Sequence, residues 1–248
     1  MPAIGMGTWR TFDTDEDRRP IVDAALAAGI DLFDSSPMYG RAEATLARAV
    51  AGRRDQVLVA TKVWTEDPSE GRAQAEHALR LFGHVDVYQV HNLVNVQAQL
   101  GLLEGLKAEG KVRAVGATHY MESAFDDLAA LMRSGRLDMV QLPYNPLRRT
   151  AERVLLPLAE SLGLGVLVMS PLQGGILERR PSGEELRELG VTTWAQAVLK
   201  WIVSDRRVST VLTATHRAER VEENSAGGRP PFFDADQRKL VSRIAERR

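Results

Sequence analysis

A strand-and-helix unit repeats along this chain, and its pitch leaves few folds open. Strand-like segments begin at residues 31, 57, 85, 111, 138 and 165, so the unit recurs every 26 to 28 residues. A helical pattern follows each one before the next begins. Alternation of this kind means βαβ units with right-handed crossovers and a parallel sheet. The run Val57-Leu58-Val59-Ala60-Thr61-Lys62 is apolar almost to its end, as expected of a strand buried on both faces. One strand at Ile4 to Thr8 precedes the repeat and another at Val208 to Thr213 follows it, which makes eight. Eight units favour closure into a (β/α)8 TIM barrel, and 248 residues is close to the usual length of that fold. The runner-up is an open doubly wound sheet, which would more often carry a glycine-rich phosphate loop after the first strand. Gly5-Met6-Gly7-Thr8-Trp9 lacks the third glycine of that fingerprint.

The helices have legible ends. Asp13, Thr14 and Asp15 are helix-start residues and Gly29 is a stop, which places a first helix between them. Segment 174 to 183, with three glycines and a proline, reads as a loop. Two additional C-terminal helical segments, about 217 to 225 and 234 to 246, finish the chain. Residues 1–248 contain no linker or low-complexity tract and read as one domain.

Composition excludes several functions. The formal charge of −1 offers no electrostatic footprint for nucleic acid or an anionic membrane. Without cysteine there is neither disulfide nor thiolate metal site. The five histidines fall into no ligand pattern, so no metal is expected. No basic segment followed by an apolar one opens the chain, and the longest apolar run, around Leu162 to Met169, is too short to span a bilayer. The expectation is a soluble, cytoplasmic protein.

In a parallel barrel, chemistry gathers at the C-terminal ends of the strands. Strands two, three and four end at Asp34, Lys62 and His91, and Tyr39 stands five residues past Asp34. Taken singly these are a turn aspartate, a solvated lysine, a stray histidine and a rim tyrosine. Their convergence on consecutive strands is what a site requires. A tyrosine with its ordinary pKa of about 10 is a poor acid at neutral pH. A nearby ammonium lowers that pKa, and a carboxylate holds the ammonium in place. A histidine opposite can hydrogen-bond a substrate oxygen. Such a set can protonate an oxygen that becomes an alkoxide as hydride reaches its carbon.

The sequence resembles the aldo-keto reductase family over nearly its whole length. The resemblance rests on Gly7-Thr8-Trp9, the run Asp34-Ser35-Ser36-Pro37-Met38-Tyr39-Gly40, Thr61-Lys62-Val63 and Tyr88-Gln89-Val90-His91. It continues through Gln141 to Leu147, Ser170-Pro171-Leu172 and Glu222-Glu223-Asn224. It implies a barrel reductase that uses NADPH, less often NADH, to reduce the carbonyl of a small molecule. Tyr39 would be the general acid, Lys62 and Asp34 its tuners and His91 the substrate orienter. The resemblance also implies a cofactor set. Gln141, Thr118 and His119 would hold the nicotinamide carboxamide, with His119 standing where the family usually has asparagine. Ser170 and Leu172 match the pyrophosphate loop, with Gly174 beside them. Gly7, Thr8, Trp9, Thr213 and Thr215 complete the rim. Arg220 matches an arginine for the adenosine 2′-phosphate, Arg217 is a second candidate, and Glu223 and Asn224 match the adenine-contacting pair.

Family members usually open with a β-hairpin that closes the barrel bottom, whereas this chain starts almost at its first strand. A less covered bottom is therefore expected, shielded by a partner or by the C-terminal segment, in a monomer or weak homo-oligomer. The short loop after His91 predicts a shallow, open substrate pocket. Two rival readings stay open. One is a cofactor-binding sensor or regulatory protein with little turnover. The other is a lyase or isomerase using Lys62 as a Schiff-base nucleophile.

Overall fold

The eight strands pair in chain order, each parallel to the next, and the last closes on the first. The computed structural model describes residues 1–247. The strands are β1 (Ile4–Gly7), β2 (Leu32–Asp34), β3 (Leu58–Val63), β4 (Val85–His91), β5 (Val112–Thr118), β6 (Met139–Pro143), β7 (Gly165–Met169) and β8 (Thr210–Thr213). Around them run α1 (Arg19–Ala27), α2 (Ala42–Ala49), α3 (Pro68–Phe82), α4 (Val96–Ala108), α5 (Phe125–Met132), α6 (Leu155–Leu162), α7 (Gly183–Glu188), α8 (Trp194–Val203), α9 (Ala218–Gly227) and α10 (Ala235–Glu246). The predicted (β/α)8 barrel is the fold observed. Among the described residues, no helix is long and apolar enough to cross a membrane.

Strand alternation divides the core in two. Outward side chains such as Phe33, Val59, Val90 and Val140 pack against the helices. Inward side chains fill the lower barrel with Leu32, Ala60, Val87, Met139, Leu167 and Leu212. Gly5 belongs to this layer, because a Cβ there would lie 2.9 Å from Leu212 Cδ2. One step up, the inward positions turn polar: Asp34, Lys62, Gln89, Thr118 and Gln141 are all buried. Polar groups also satisfy the lower strand edges. Asp86 accepts from Val59 N (2.9 Å), Asp138 from Val115 N (2.7 Å) and Ser209 Oγ from Val166 N (3.0 Å). Each pairs an N–H that the staggered register leaves over.

Helix starts follow local chemistry. Asp67 caps α3 by accepting from Ser69 N (2.7 Å), and Pro68 occupies the first turn, where a missing N–H costs nothing. Ser182 and Glu185 form a reciprocal capping box that starts α7 inside the segment expected to be all loop. The first helix begins later than expected, at Arg19. Asp13 and Asp15 instead pair with Arg41, which ties the β1–α1 loop to the start of α2.

Both C-terminal helices form. α9 packs between α8 and α1 and so fills the eighth place in the helical ring. α10 lies on α8, with Trp201 Nε1 donating to Arg238 O (3.0 Å). The C-terminal segment braces the barrel wall and touches the barrel bottom at Gly228, where a Cβ would lie 2.5 Å from Ile4 Cγ1. Leu58 and Ala114 are only half-buried there, while Pro2 and Ala3 run beside β8 through bonds to Thr210 and Val211.

Candidate active site

The upper polar layer converges on Asp34. Its Oδ2 accepts from Lys62 Nζ at 2.6 Å, and its Oδ1 accepts from Gln89 Nε2 (3.2 Å) and Gln141 Nε2 (3.1 Å). Lys62 donates a second bond to Ser35 O (2.7 Å). Ser35 in turn receives the Thr8 hydroxyl (2.9 Å), so Thr8 braces the turn from behind. The ammonium is fully buried. Burial disfavours its charge, but Asp34 and then Tyr39 together outweigh that, and the lysine pKa is raised. The result is a fixed, buried ion pair with every Asp34 oxygen engaged.

Tyr39 ends a single 3₁₀ turn, Pro37–Tyr39, directly after β2. Its ring is half-buried, and Lys62 Nζ lies 5.2 Å from the ring centre. Burial pushes the phenol pKa up, Lys62 pulls it down and Asp34 pushes it up, with a net rise. The lowering expected from the ammonium is present, but desolvation is larger.

His91 ends β4 and meets Tyr39 edge-on, with ring centres 5.8 Å apart and planes at 85°. Burial first, then the charge of Lys62, pushes its pKa down to about 3. The imidazole is neutral at physiological pH and acts as a hydrogen-bond donor or acceptor.

Most of the other expected residues fall into two groups. Thr118 is buried and donates to Gln141 Oε1 (3.3 Å), so both ends of the Gln141 amide are engaged within the protein. His119 stacks on Tyr120 (5.5 Å, 7°), and its Nδ1 accepts from Met121 N (3.1 Å). Gly7 pairs in register with Asp34, and Trp9 stands exposed at the rim under the guanidinium of Arg10. Thr213 is buried and donates to Gly5 O (3.3 Å). Ser170 holds a left-handed backbone (φ +56°) at the end of β7, a conformation that costs energy and concentrates at functional sites.

The second group lines a cleft of about 510 Å³ between the β7–α7 loop and α9. Leu172, Thr215, Arg220, Glu223 and Asn224 are all there. Arg179 and Arg180 join them from the loop, and the sequence reading missed both. Gly174 and Arg217 lie outside this lining. Gly174 is an exposed loop glycine at φ +78°, and Arg217 is held by Glu219 at 2.6 Å. A larger, shallow cleft along α10, lined by Arg149, Trp201 and Arg238, holds none of the strand-end residues.

Gln89 was also missed as a site residue. Its signal was available, because it stands two before His91 on one strand and so shares its inward face. Glu43, in the first turn of α2, is a further buried polar group near the site. It accepts from Thr61 Oγ1 (2.6 Å), and burial raises its pKa.

Residues 3–244 match the family model described as "Aldo/keto reductase family". The chain belongs to the aldo/keto reductase family. It is therefore an oxidoreductase of the carbonyl-reducing kind. Among relatives it is similar to the NADH-specific methylglyoxal reductase of Escherichia coli (strain K12), at 27% identity over 99% of this chain and 95% of that protein. It is 28% identical to methylglyoxal reductase YeaE of the same organism, over 91% of this chain and 85% of the relative. In fold it resembles an aldo/keto reductase from Klebsiella pneumoniae solved with NADP and acetate. That likeness has a TM-score of 0.84 at 23% identity and covers 99% of this chain and 92% of the other. The Klebsiella protein shares the fold of the closed eight-stranded barrel described above.

Proposed function

We propose that this reductase converts small aldehydes and ketones to alcohols with NADPH, Tyr39 serving as general acid. The observation that carries the reading is the buried Lys62–Asp34 pair beside the Tyr39 ring, with neutral His91 at the same mouth.

The residues present suit a nicotinamide dinucleotide. The cleft beside α9 offers three arginines to phosphate groups, Arg179, Arg180 and Arg220, together with Glu223 and Asn224 as polar partners. Gln141, Thr118 and His119 would hold the carboxamide end, and Ser170 and Leu172 the pyrophosphate. When bound, the reduced cofactor supplies the hydride that is added to the substrate carbonyl carbon.

The protein's part is binding, orientation and proton supply. His91 donates a hydrogen bond to the carbonyl oxygen and polarises it. Tyr39 passes its hydroxyl proton to that oxygen as charge develops there, and Lys62 stabilises the phenolate left behind. A raised tyrosine pKa does not oppose this, because the alkoxide it protonates is far more basic than a phenolate. Asp34, clamped by Gln89 and Gln141, keeps Lys62 charged and in place.

Substrates are expected to be small and varied. The loop between β4 and α4 holds only residues 92–95, and Trp9, Met38, Trp64, Tyr120 and Met121 are exposed. The methylglyoxal reductase relatives make methylglyoxal a natural first substrate. The test is fluorescence titration with NADPH and NADH, followed by methylglyoxal and a panel of aldehydes. Cofactor oxidation on adding aldehyde is the expected result. Binding without oxidation across the panel would favour the sensor reading instead.

A further inference from the structure

Ser36 is fully buried, and its hydroxyl lies 2.9 Å from His91 Nδ1. The same oxygen accepts from Met38 N (3.4 Å), which caps the turn that carries Tyr39. A serine hydroxyl has one hydrogen to give. Among the described residues, His91 Nδ1 is the only acceptor within reach of it. If His91 were protonated at Nδ1, it would donate to Ser36 and leave that buried hydroxyl hydrogen without a partner. A buried donor left unpaired forfeits the hydrogen bonds it had to water and is destabilising. The lower-energy arrangement has Ser36 donating to Nδ1, which puts the single imidazole proton on Nε2.

We propose that Ser36 is a positioning residue that selects the Nε2–H tautomer of His91, and so makes the histidine a donor toward the substrate oxygen. Through one hydroxyl it fixes both the ring of His91 and the turn of Tyr39. The role in turnover rests on the carbonyl-reductase reading, whereas the tautomer itself does not.

Two measurements separate those claims. Long-range ¹H–¹⁵N spectra of histidine-labelled protein, with His91 assigned by His91→Gln, report which ring nitrogen carries the proton. Wild-type protein at pH 7 is expected to show Nε2 protonated and Nδ1 bare. Ser36→Ala is expected to give a mixture or the opposite tautomer. Ser36→Thr, which keeps the hydroxyl, is expected to restore the wild-type pattern. In steady-state assays Ser36→Ala should lower kcat about 10- to 100-fold, short of the ~10²–10³-fold lost when an oxyanion donor is removed outright. Its cofactor affinity should not change. Nδ1-protonated His91 in wild type, or Ser36→Ala with both spectrum and kcat unchanged, would overturn the proposal. Wild-type protein that oxidises no cofactor with any carbonyl would sink the reductase reading, while the spectra would still decide the tautomer.

Discussion

Gly116 faces Gln89 across neighbouring strands, and its missing side chain is what lets the glutamine reach Asp34. A Cβ at position 116 would lie 3.0 Å from Gln89 Cγ and 3.1 Å from the Met139 carbonyl oxygen. The glutamine could shift, but the backbone of β6 has little room to give. Gly116→Ala is expected to destabilise the protein by about 1–3 kcal/mol, as overpacked cores do. It should also lower turnover, since Gln89 would lose its hold on Asp34. Urea denaturation and steady-state kinetics read the two effects. Gln89→Leu should share the turnover loss, and equal turnover in all three proteins would show that the clamp has no part in the reaction.

Tyr39→Phe removes only the hydroxyl. Turnover with methylglyoxal should fall about 10²–10⁴-fold, the usual contribution of a general acid. Cofactor binding, read by fluorescence quenching, should stay at the wild-type level. Retained turnover would remove Tyr39 from the proton-donor role, and borohydride trapping of substrate on Lys62 would then become the informative experiment.

Asp34→Asn leaves the Lys62 ammonium buried without its counter-charge. Breaking a buried pair from one side costs about 3–5 kcal/mol. The variant should unfold at markedly lower denaturant and lose turnover together. A variant as stable as wild type would mean that Lys62 sheds its proton or reaches water at little cost.

Arginine substitutions test the cofactor cleft. Arg220 lines it, paired with Glu223 inside the cleft, whereas Arg217 is paired with Glu219 outside the lining. A charge-assisted hydrogen bond contributes about 1.5–3 kcal/mol, so Arg220→Ala should weaken NADPH binding by about 10- to 100-fold and leave NADH nearly unchanged. Arg180→Ala should act in the same direction, and Arg217→Ala should leave both cofactors unaffected. An equal loss for NADPH and NADH would place Arg220 away from the 2′-phosphate.

His91 makes a prediction about acid stability. Its folded pKa is down at about 3, against an ordinary 6.5, chiefly through burial. Between those values the unfolded chain binds a proton that the native protein does not, so stability rises with pH across the window. The contribution is complete above 6.5 and is lost as pH falls toward 3. At about 1.4 kcal/mol per pKa unit this amounts to a few kcal/mol. His91→Gln should flatten the stability profile over that range, and parallel profiles for variant and wild type would mean that His91 titrates normally.

The sequence by itself determined the barrel. The 26- to 28-residue pitch, the apolar strands and the strand-end placement of Asp34, Lys62 and His91 are local or periodic signals, and they needed no structure to read. They follow from alternation along a strand and from the rule that strand tops share one face. Some local signals were present but outweighed, such as the capping box at Ser182 and Glu185 hidden between glycines and a proline. Asp13 and Asp15 show the opposite case, since helix-start residues were drawn away by Arg41 from a distant segment. Only the tertiary structure decided what those strand-end side chains do to one another. Three donors on Asp34 come from β3, β4 and β6, and Ser36 meets His91 across 55 residues. Such pairings depend on barrel register and on how deeply each group is buried. Desolvation sets the direction of the Tyr39 and His91 pKa shifts, and it exists only once the chain has closed around them.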